Sequence, residues 1–255
     1  MSMNDYLTLT LSTLALLVSL VSAFIGIQLE RKTMRTAVRE QLTTVVQNLI
    51  AAQAEIDIAM AVNSDETSVA TLATMNHRLT AFARQACELD KIDPTMGFDV
   101  EYIAIANALK TSGDDMQAEI YYTKAIEKSP SNYYRAINSR LSARHLFEQG
   151  RQEAGREMYA KAASLLEATT DSNKVNNAYT YQDWMHNEIT SFPPSIDRAE
   201  RCRTKVETLL QSIKNPGTRE YQLAQFRRMS DALLMTQPSD VSVPKSSTTI
   251  PTNAP

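Results

Sequence analysis

Apolar and polar positions change rhythm several times along this chain. From Tyr6 to Leu29, YLTLTLSTLALLVSLVSAFIGIQL, there is neither a charged residue nor a break. Roughly 20 apolar residues let a helix span the hydrocarbon core of a bilayer, so the run predicts one transmembrane helix within residues 1–30. From Thr33 to Val62 the pattern turns periodic. Val38, Leu42, Val45, Leu49, Ala52, Ile56 and Ala59 recur at alternating steps of four and three, the seam of an amphipathic helix. NSDE at Asn63–Glu66 breaks it and caps the next helix. Val69, Leu72, Leu79, Phe82 and Ala86 give that helix an apolar face as far as about Leu89, and Lys91-Ile92-Asp93-Pro94 stops it. Residues 31–93 are therefore expected as a helical hairpin, or as a stalk whose first helix pairs with its own copy.

Beyond Pro94 the spacing carries small residues as well as large ones. EYIAIANALKT places Tyr102, Ile105, Ala106 and Leu109 on one stripe; Gly113 follows in a polar turn. Ala118, Tyr122 and Ala125 form the stripe of the next helix, which Pro130 closes. Small residues let two helices cross closely, and the aromatic fills the groove beside them. Gly150, Gly155, Tyr159 and Ala162 repeat the order Gly113, Ala118, Tyr122, Ala125, behind a helix carrying Ser139, Ser142, Ala143 and Leu146. Glu167 stands where Pro130 stands in the first unit, so the pattern lapses at its end.

This arrangement, with its Gly turn and closing Pro, resembles the tetratricopeptide repeat, whose pattern is large–x₂–Leu–Gly–x₂–Tyr, then Ala–x₃–Phe, then Pro, with Ala106 for the usual glycine and Leu109 for the usual tyrosine. A third pair is suggested by Lys174–Thr190, which contains Tyr181, Trp184 and Ile189, and by the face Ile196, Ala199, Val206, Leu209, Leu210 after the turn FPPS at Phe192–Ser195. Asn215-Pro216-Gly217 ends it, and Thr218–Met235 is expected as a capping helix, since repeat arrays need about three units and an atypical end. The expected fold is all-α: tetratricopeptide-like helical hairpins in an α-solenoid over 94–235, behind a single amino-terminal transmembrane helix. The stretch 236–255, rich in Pro, Ser and Thr, is expected to be disordered.

Charge adds orientation and removes some partners. Arg31, Lys32, Arg35 and Arg39 follow the apolar run, whereas Asp5 precedes it. Positive flanks stay cytoplasmic, so the expectation is a single-pass protein with its amino terminus outside and its bulk in the cytosol. A cleaved signal peptide is the competing reading, because VSA at Val21–Ala23 fits a cleavage site. The leader MSMND lacks the usual bases, and the apolar run continues through Phe24, Ile25 and Ile27. Thr8, Ser12, Ala15, Ser19, Ser22 and Gly26 form a small-residue stripe that suits helix association in the bilayer. A net charge of −3 supplies no general field for nucleic acid. Cys87 and Cys202 make no metal or disulfide framework and read as reduced core thiols.

No catalytic motif appears. His77, His145 and His186 stand isolated, no phosphate loop or nucleophile elbow occurs, and SGDD at Ser112–Asp115 reads as a turn. The expectation is a protein that is not an enzyme and takes no cofactor or metal. The repeat resemblance implies instead a concave surface, lined by the first helix of each pair, that receives a protein or peptide. It places Asn107 and Lys110 in that groove, with Arg140 and Arg144 on the next unit, making it locally basic. Leu141 replaces the second asparagine of the family's carboxylate-binding clamp. Two functions follow: an anchored adaptor that captures a partner, or an assembly subunit that self-associates through the anchor and helix 33–62.

Overall fold

A computed structural model describes the backbone of residues 3–62 and 67–235, and the side chains of 19–61, 70–231 and Leu233. The expectations for the tail 236–255, for the break at Asn63–Glu66, for Val69, and for Thr8, Ser12 and Ala15 lie outside the described residues or side chains. Among the described residues the chain is all-helical, with nine helices. It divides into two compact units, Met1–Leu165 and Leu166–Pro255. That division falls inside the stretch 94–235 read from sequence as one domain.

The first unit begins with α1 (Met3–Val62), one unbroken helix in which the uncharged run passes directly into the amphipathic segment. Nothing between Leu29 and Val38 interrupts it: no proline or glycine is present. Among the described residues no helix is long and apolar enough to cross a membrane. Of the run Tyr6–Leu29, only Ser19–Leu29 has described side chains, and there Leu20, Val21, Phe24, Ile25, Ile27 and Leu29 are all exposed. The seam further on is buried, with Val38, Leu42, Val45, Leu49, Ala52 and Ile56 joined by Val46. Its cover is α2 (Thr67–Ile92), which returns along it with Leu79, Ala83 and Ala86 fully buried, together with α3 (Asp99–Thr111). Within residues 31–93 the seam of α1 is thus packed against α2 and α3, with Ala59 at its end half-buried.

Helices α3 and α4 (Asp115–Lys128) form one hairpin; α5 (Asn132–Glu148) and α6 (Gln152–Ser164) form the next. The two turns are built alike. Gly113 and Gly150 have φ of 80° and 71°, the left-handed region that favours glycine. Gly113 N–H donates to Lys110 O and Asp114 N–H to Leu109 O; Gly150 N–H and Arg151 N–H repeat this with Phe147 O and Leu146 O. All the stripe residues named from sequence in these four helices are buried, including Tyr102, Ala118, Tyr122, Ala125, Ser139 and Tyr159. At Gly155 the crossing is closest: an added Cβ would lie 2.5 Å from the Phe147 ring and 3.1 Å from Ala143 O.

Two polar knots join these elements. Asp90 at the end of α2, only 1% exposed, accepts from Tyr102 Oη of α3 at 2.9 Å and from Tyr121 Oη of α4 at 3.1 Å. Lys124 Nζ of α4 completes the set at 2.5 Å and lies over the Tyr121 ring. Arg39 of α1 grips Glu101 of α3 through two nitrogens at 2.6 and 2.9 Å, while Glu101 also accepts Phe98 N–H to cap its own helix. Arg39 and Arg35, which bonds Asp93 and Thr95, thus have structural roles that a count of flanking charges does not reveal.

The second unit is a further hairpin, α7 (Asp171–Thr190) and α8 (Ile196–Gln211), with α9 (Pro216–Met235) against α8. Its core gathers Ala178, Met185, Ala199, Cys202, Val206, Leu210, Ile213 and Phe226. Ile196, placed on the apolar face by its spacing, is half exposed at the first position of α8. Asn215 Oδ1 accepts Thr218 N–H at 2.9 Å, and Pro216 occupies the first helical position, where its missing N–H costs nothing. The Asn-Pro-Gly sequence therefore starts α9 as well as following α8. Asp171 ties the ends together by accepting the amides of Lys214 and Asn215 at 3.0–3.1 Å.

Replacing Asp90 by Ala takes an acceptor from two buried hydroxyls, Tyr102 keeping Pro94 O as a partner, and removes a buried charge pair. The expected loss is about 3 kcal/mol, discounted because Lys124 is partly exposed, and urea denaturation followed by circular dichroism measures it. Breaking the exposed Lys91–Glu88 pair, whose residues flank Asp90 in sequence, with Lys91→Ala should leave the midpoint unchanged. A second expectation concerns acid. The backbone amides of Lys214 and Asn215 hold the Asp171 carboxyl below its ordinary range. The unfolded chain then binds the proton more readily, so this stabilisation is complete above about pH 4 and disappears as pH falls through the folded-state value. Acid unfolding followed at Trp184, the chain's single tryptophan, should show this dependence in the native protein and lose it in Asp171→Asn.

Candidate functional site

Where α1 passes α3 the two helices leave a cleft of about 310 Å³. From α1 it is lined by Leu49, Ile50, Gln53, Ala54 and Asp57, and from α3 by Val100, Ile103, Ala104 and Asn107. The floor is apolar, for Leu49 is buried, and Ile103 and Ala104 pack on the core of the unit. The rims are apolar but open: Ile50 is 53% and Val100 62% exposed. Polar groups collect toward the end of α3. Gln53 Nε2 donates to Asp57 at 2.9 Å, and Thr111 Oγ1 reaches Gln53 Oε1 at 3.4 Å.

Of the groove residues named from sequence, Asn107 does line this cleft, but its side chain is engaged. Its Oδ1 accepts Tyr122 Oη at 2.6 Å, which fixes α4 to α3. Lys110, one turn on, is paired with Glu148 of α5 at 2.9 Å. Arg140 is half-buried and Arg144 exposed, both on α5. Charge from Glu148 and Arg144 reaches Tyr122 with opposite signs; burial and Glu148 raise its hydroxyl above the ordinary range, and Arg144 lowers it. The structure therefore brings Asn107 onto one buried tyrosine, with the charges of Arg144 and of Glu148, the partner of Lys110, near enough to act on it. Glu148 offsets the basic character expected there.

The α1 wall was missed from sequence. Ile50, Ala54 and Ile58 recur at steps of four on the flank of the seam, a signal that shows only once α3 is known to lie beside that flank. A second hollow, about 390 Å³, is lined by Asp197, Glu200, Arg201 and Thr204, all from α8, so it has a single wall.

Cys87, Cys202, His145 and Trp184 are held in packing roles, whereas His77 and His186 are exposed. Cys87 and Cys202 are buried free thiols; burial pushes Cys87 up, and burial with the Glu188 charge pushes Cys202 up to about 12, far from a thiolate at neutral pH. His145 stacks on Tyr122 with ring centroids 5.2 Å apart. Trp184 donates to the buried Glu188 at 2.8 Å and stacks on Tyr181. Among the described residues no three His, Cys, Asp or Glu side chains are grouped to hold a metal.

Fold and site together define an all-helical protein of hairpins with an open apolar cleft. No protein-family model matches the chain, and neither a curated protein nor a solved structure is detectably similar to it.

Asn107 and Tyr122 are expected to act as a structural pair. In a double-mutant cycle with Asn107→Ala and Tyr122→Phe, their coupling should be about 1 kcal/mol, measured by chemical denaturation.

Proposed function

We propose that this protein is a membrane-anchored, tetratricopeptide-like adaptor whose helical-repeat surface binds a partner protein or peptide. The observation that carries this reading is the α1–α3 cleft, whose apolar floor is buried while Ile50 and Val100 stand exposed on its two rims. Exposed aliphatic side chains beside a concave apolar floor suit the helix-in-groove or extended-peptide modes of recognition. The arrangement of unit 1 supports the repeat part. Hairpins α1–α2, α3–α4 and α5–α6 follow one another, with α3 touching both α1 and α5. On this reading α1–α2 serves as the first hairpin of the array, and the first helices α1, α3 and α5 supply the binding face. Lys110 with Glu148, Asn107, Arg140 and Arg144 then form its polar border.

The anchor part is supported by the uncharged run Tyr6–Leu29 and by the exposure of every large apolar side chain described within it. Such a surface is costly in water and suits lipid. Arg31 and Lys32, both exposed just beyond it, favour a cytosolic position for the rest of the chain.

Photo-crosslinking in native membranes tests the adaptor. A photoreactive residue at Val100 or Ile50 should give a discrete protein adduct, whereas one at the exposed Met116, near the α3–α4 turn, should not. With the crosslinker at Val100, Ile50→Glu should abolish the adduct. Equal labelling from all three positions, or none from the cleft, would overturn the assignment.

A further inference from the structure

Where α1 leaves the uncharged run, a second group of exposed side chains collects around it. The helix rises about 1.5 Å per residue, so Arg35 lies about 9 Å beyond Leu29 and Arg39 about 15 Å. At this level the α2–α3 connection is tied to α1. Arg35 bonds Asp93 Oδ2 at 2.7 Å and Thr95 Oγ1 at 3.1 Å, and Arg39 bonds Met96 O at 2.9 Å. The Arg39 guanidinium also sits 4.5 Å above the Phe98 ring. These bonds place the start of α3 and the end of α2 at the end of the hairpin nearest the run.

The exposed residues there are of two kinds. Met34, Ile92 and Phe98 are 58%, 55% and 60% exposed. Arg31 and Lys32 are exposed cations. Of the nearby acids, Asp93 and Glu88 are paired with Arg35 and Lys91 and Glu101 is held by Arg39, while Glu30 and Glu40 are exposed, Glu30 before the two cations and Glu40 one residue beyond Arg39. Arg31, Lys32 and Met34 lie within about 8 Å of the end of the uncharged run, where a headgroup layer adds roughly 5–8 Å to each side of a hydrocarbon core. Helical side chains lean toward the amino end, which draws the connection held by Arg35 and Arg39 toward the same level.

We infer that the α2–α3 connection is a membrane-surface contact: Ile92 and Phe98 enter the boundary between headgroups and acyl chains, and Arg31 and Lys32 bind anionic lipid phosphates. This rests on the anchor reading. It adds that the hairpin lies against the bilayer and does not stand off on a free stalk. The contact follows from two features, the unbroken α1 and the arginine ties that fix the connection's height. Juxtamembrane cations gain from the negative potential of a phosphatidylserine surface, and interfacial apolar side chains add to that attraction.

The test uses the full chain reconstituted into vesicles of phosphatidylcholine and phosphatidylserine whose acyl chains carry bromine as a short-range quencher. Three tryptophans are introduced one at a time, Phe98→Trp, Phe24→Trp inside the uncharged run, and Met116→Trp near the far end of α3, with native Trp184 as the baseline. The expected result is loss of the added fluorescence at 24 and 98 and none at 116. Quenching at 24 without quenching at 98 overturns the surface contact while the anchor stands. No quenching at either overturns both readings. Quenching at 116 equal to that at 98 also overturns the contact, because the connection would then have no special place at the membrane. If Phe98→Trp fails to fold by circular dichroism, Ile92→Trp makes the same measurement. Arg31→Glu with Lys32→Glu should reduce quenching at 98 in the anionic vesicles, and unchanged quenching overturns the phosphate assignment.

Discussion

A carboxylate removed from water loses several kcal/mol of hydration and must recover it from donors placed around it. Asp90 recovers it from Tyr102, Tyr121 and Lys124, which come from two different helices. Those three donors converge only if α2, α3 and α4 meet at one angle and one register. Apolar packing alone tolerates sliding between helices, because one aliphatic contact replaces another at little cost. A fully satisfied buried polar group does not. The Asp90 cluster, with Arg39–Glu101 on the other side of α3, therefore fixes where α3 lies, and the cleft exists because α3 lies there.

The same constraint explains how α1 combines two characters. The described end of its uncharged run, Ser19–Leu29, exposes its large apolar side chains and its second part buries a single seam, yet the backbone does not break between them. Arg35 and Arg39 tie the junction to the α2–α3 connection, so the orientation of the hairpin and that of the uncharged run are mechanically one. A flexible linker would have separated them. In the second unit Asp171 has the corresponding role, receiving backbone amides from the segment between α8 and α9 and holding α7 against it.

Much of the scaffold was legible in the sequence, and the candidate site much less so. Alternating steps of three and four marked Val38 to Ile56, and small residues at Ala118, Ala125 and Ala162 marked close crossings, since both depend only on geometry within a helix. The hydrogen bonds at Gly113 and Gly150 repeat because the same local turn requires φ > 0. Asn107 and Lys110 were read from sequence as groove residues, but their engagement with Tyr122 and Glu148, which belong to other helices, could not be read there. Arg39 illustrates the same limit: counted as a flanking positive charge, it is the partner of a helix-capping glutamate 62 residues away.

The sequence by itself determined the helical character of the described chain, the turns at Gly113 and Gly150, and the buried stripes of α3 to α6, because helical periodicity and turn conformation are properties of contiguous residues. Only the tertiary structure decided which helix flanks which, and with that the fate of every polar side chain off the stripe. Ile50 became the rim of a cleft, Asp90 the knot of three helices, and Lys110 half of an ion pair. Each of those outcomes is set by a partner far along the chain, and side-chain spacing within one helix does not carry that information.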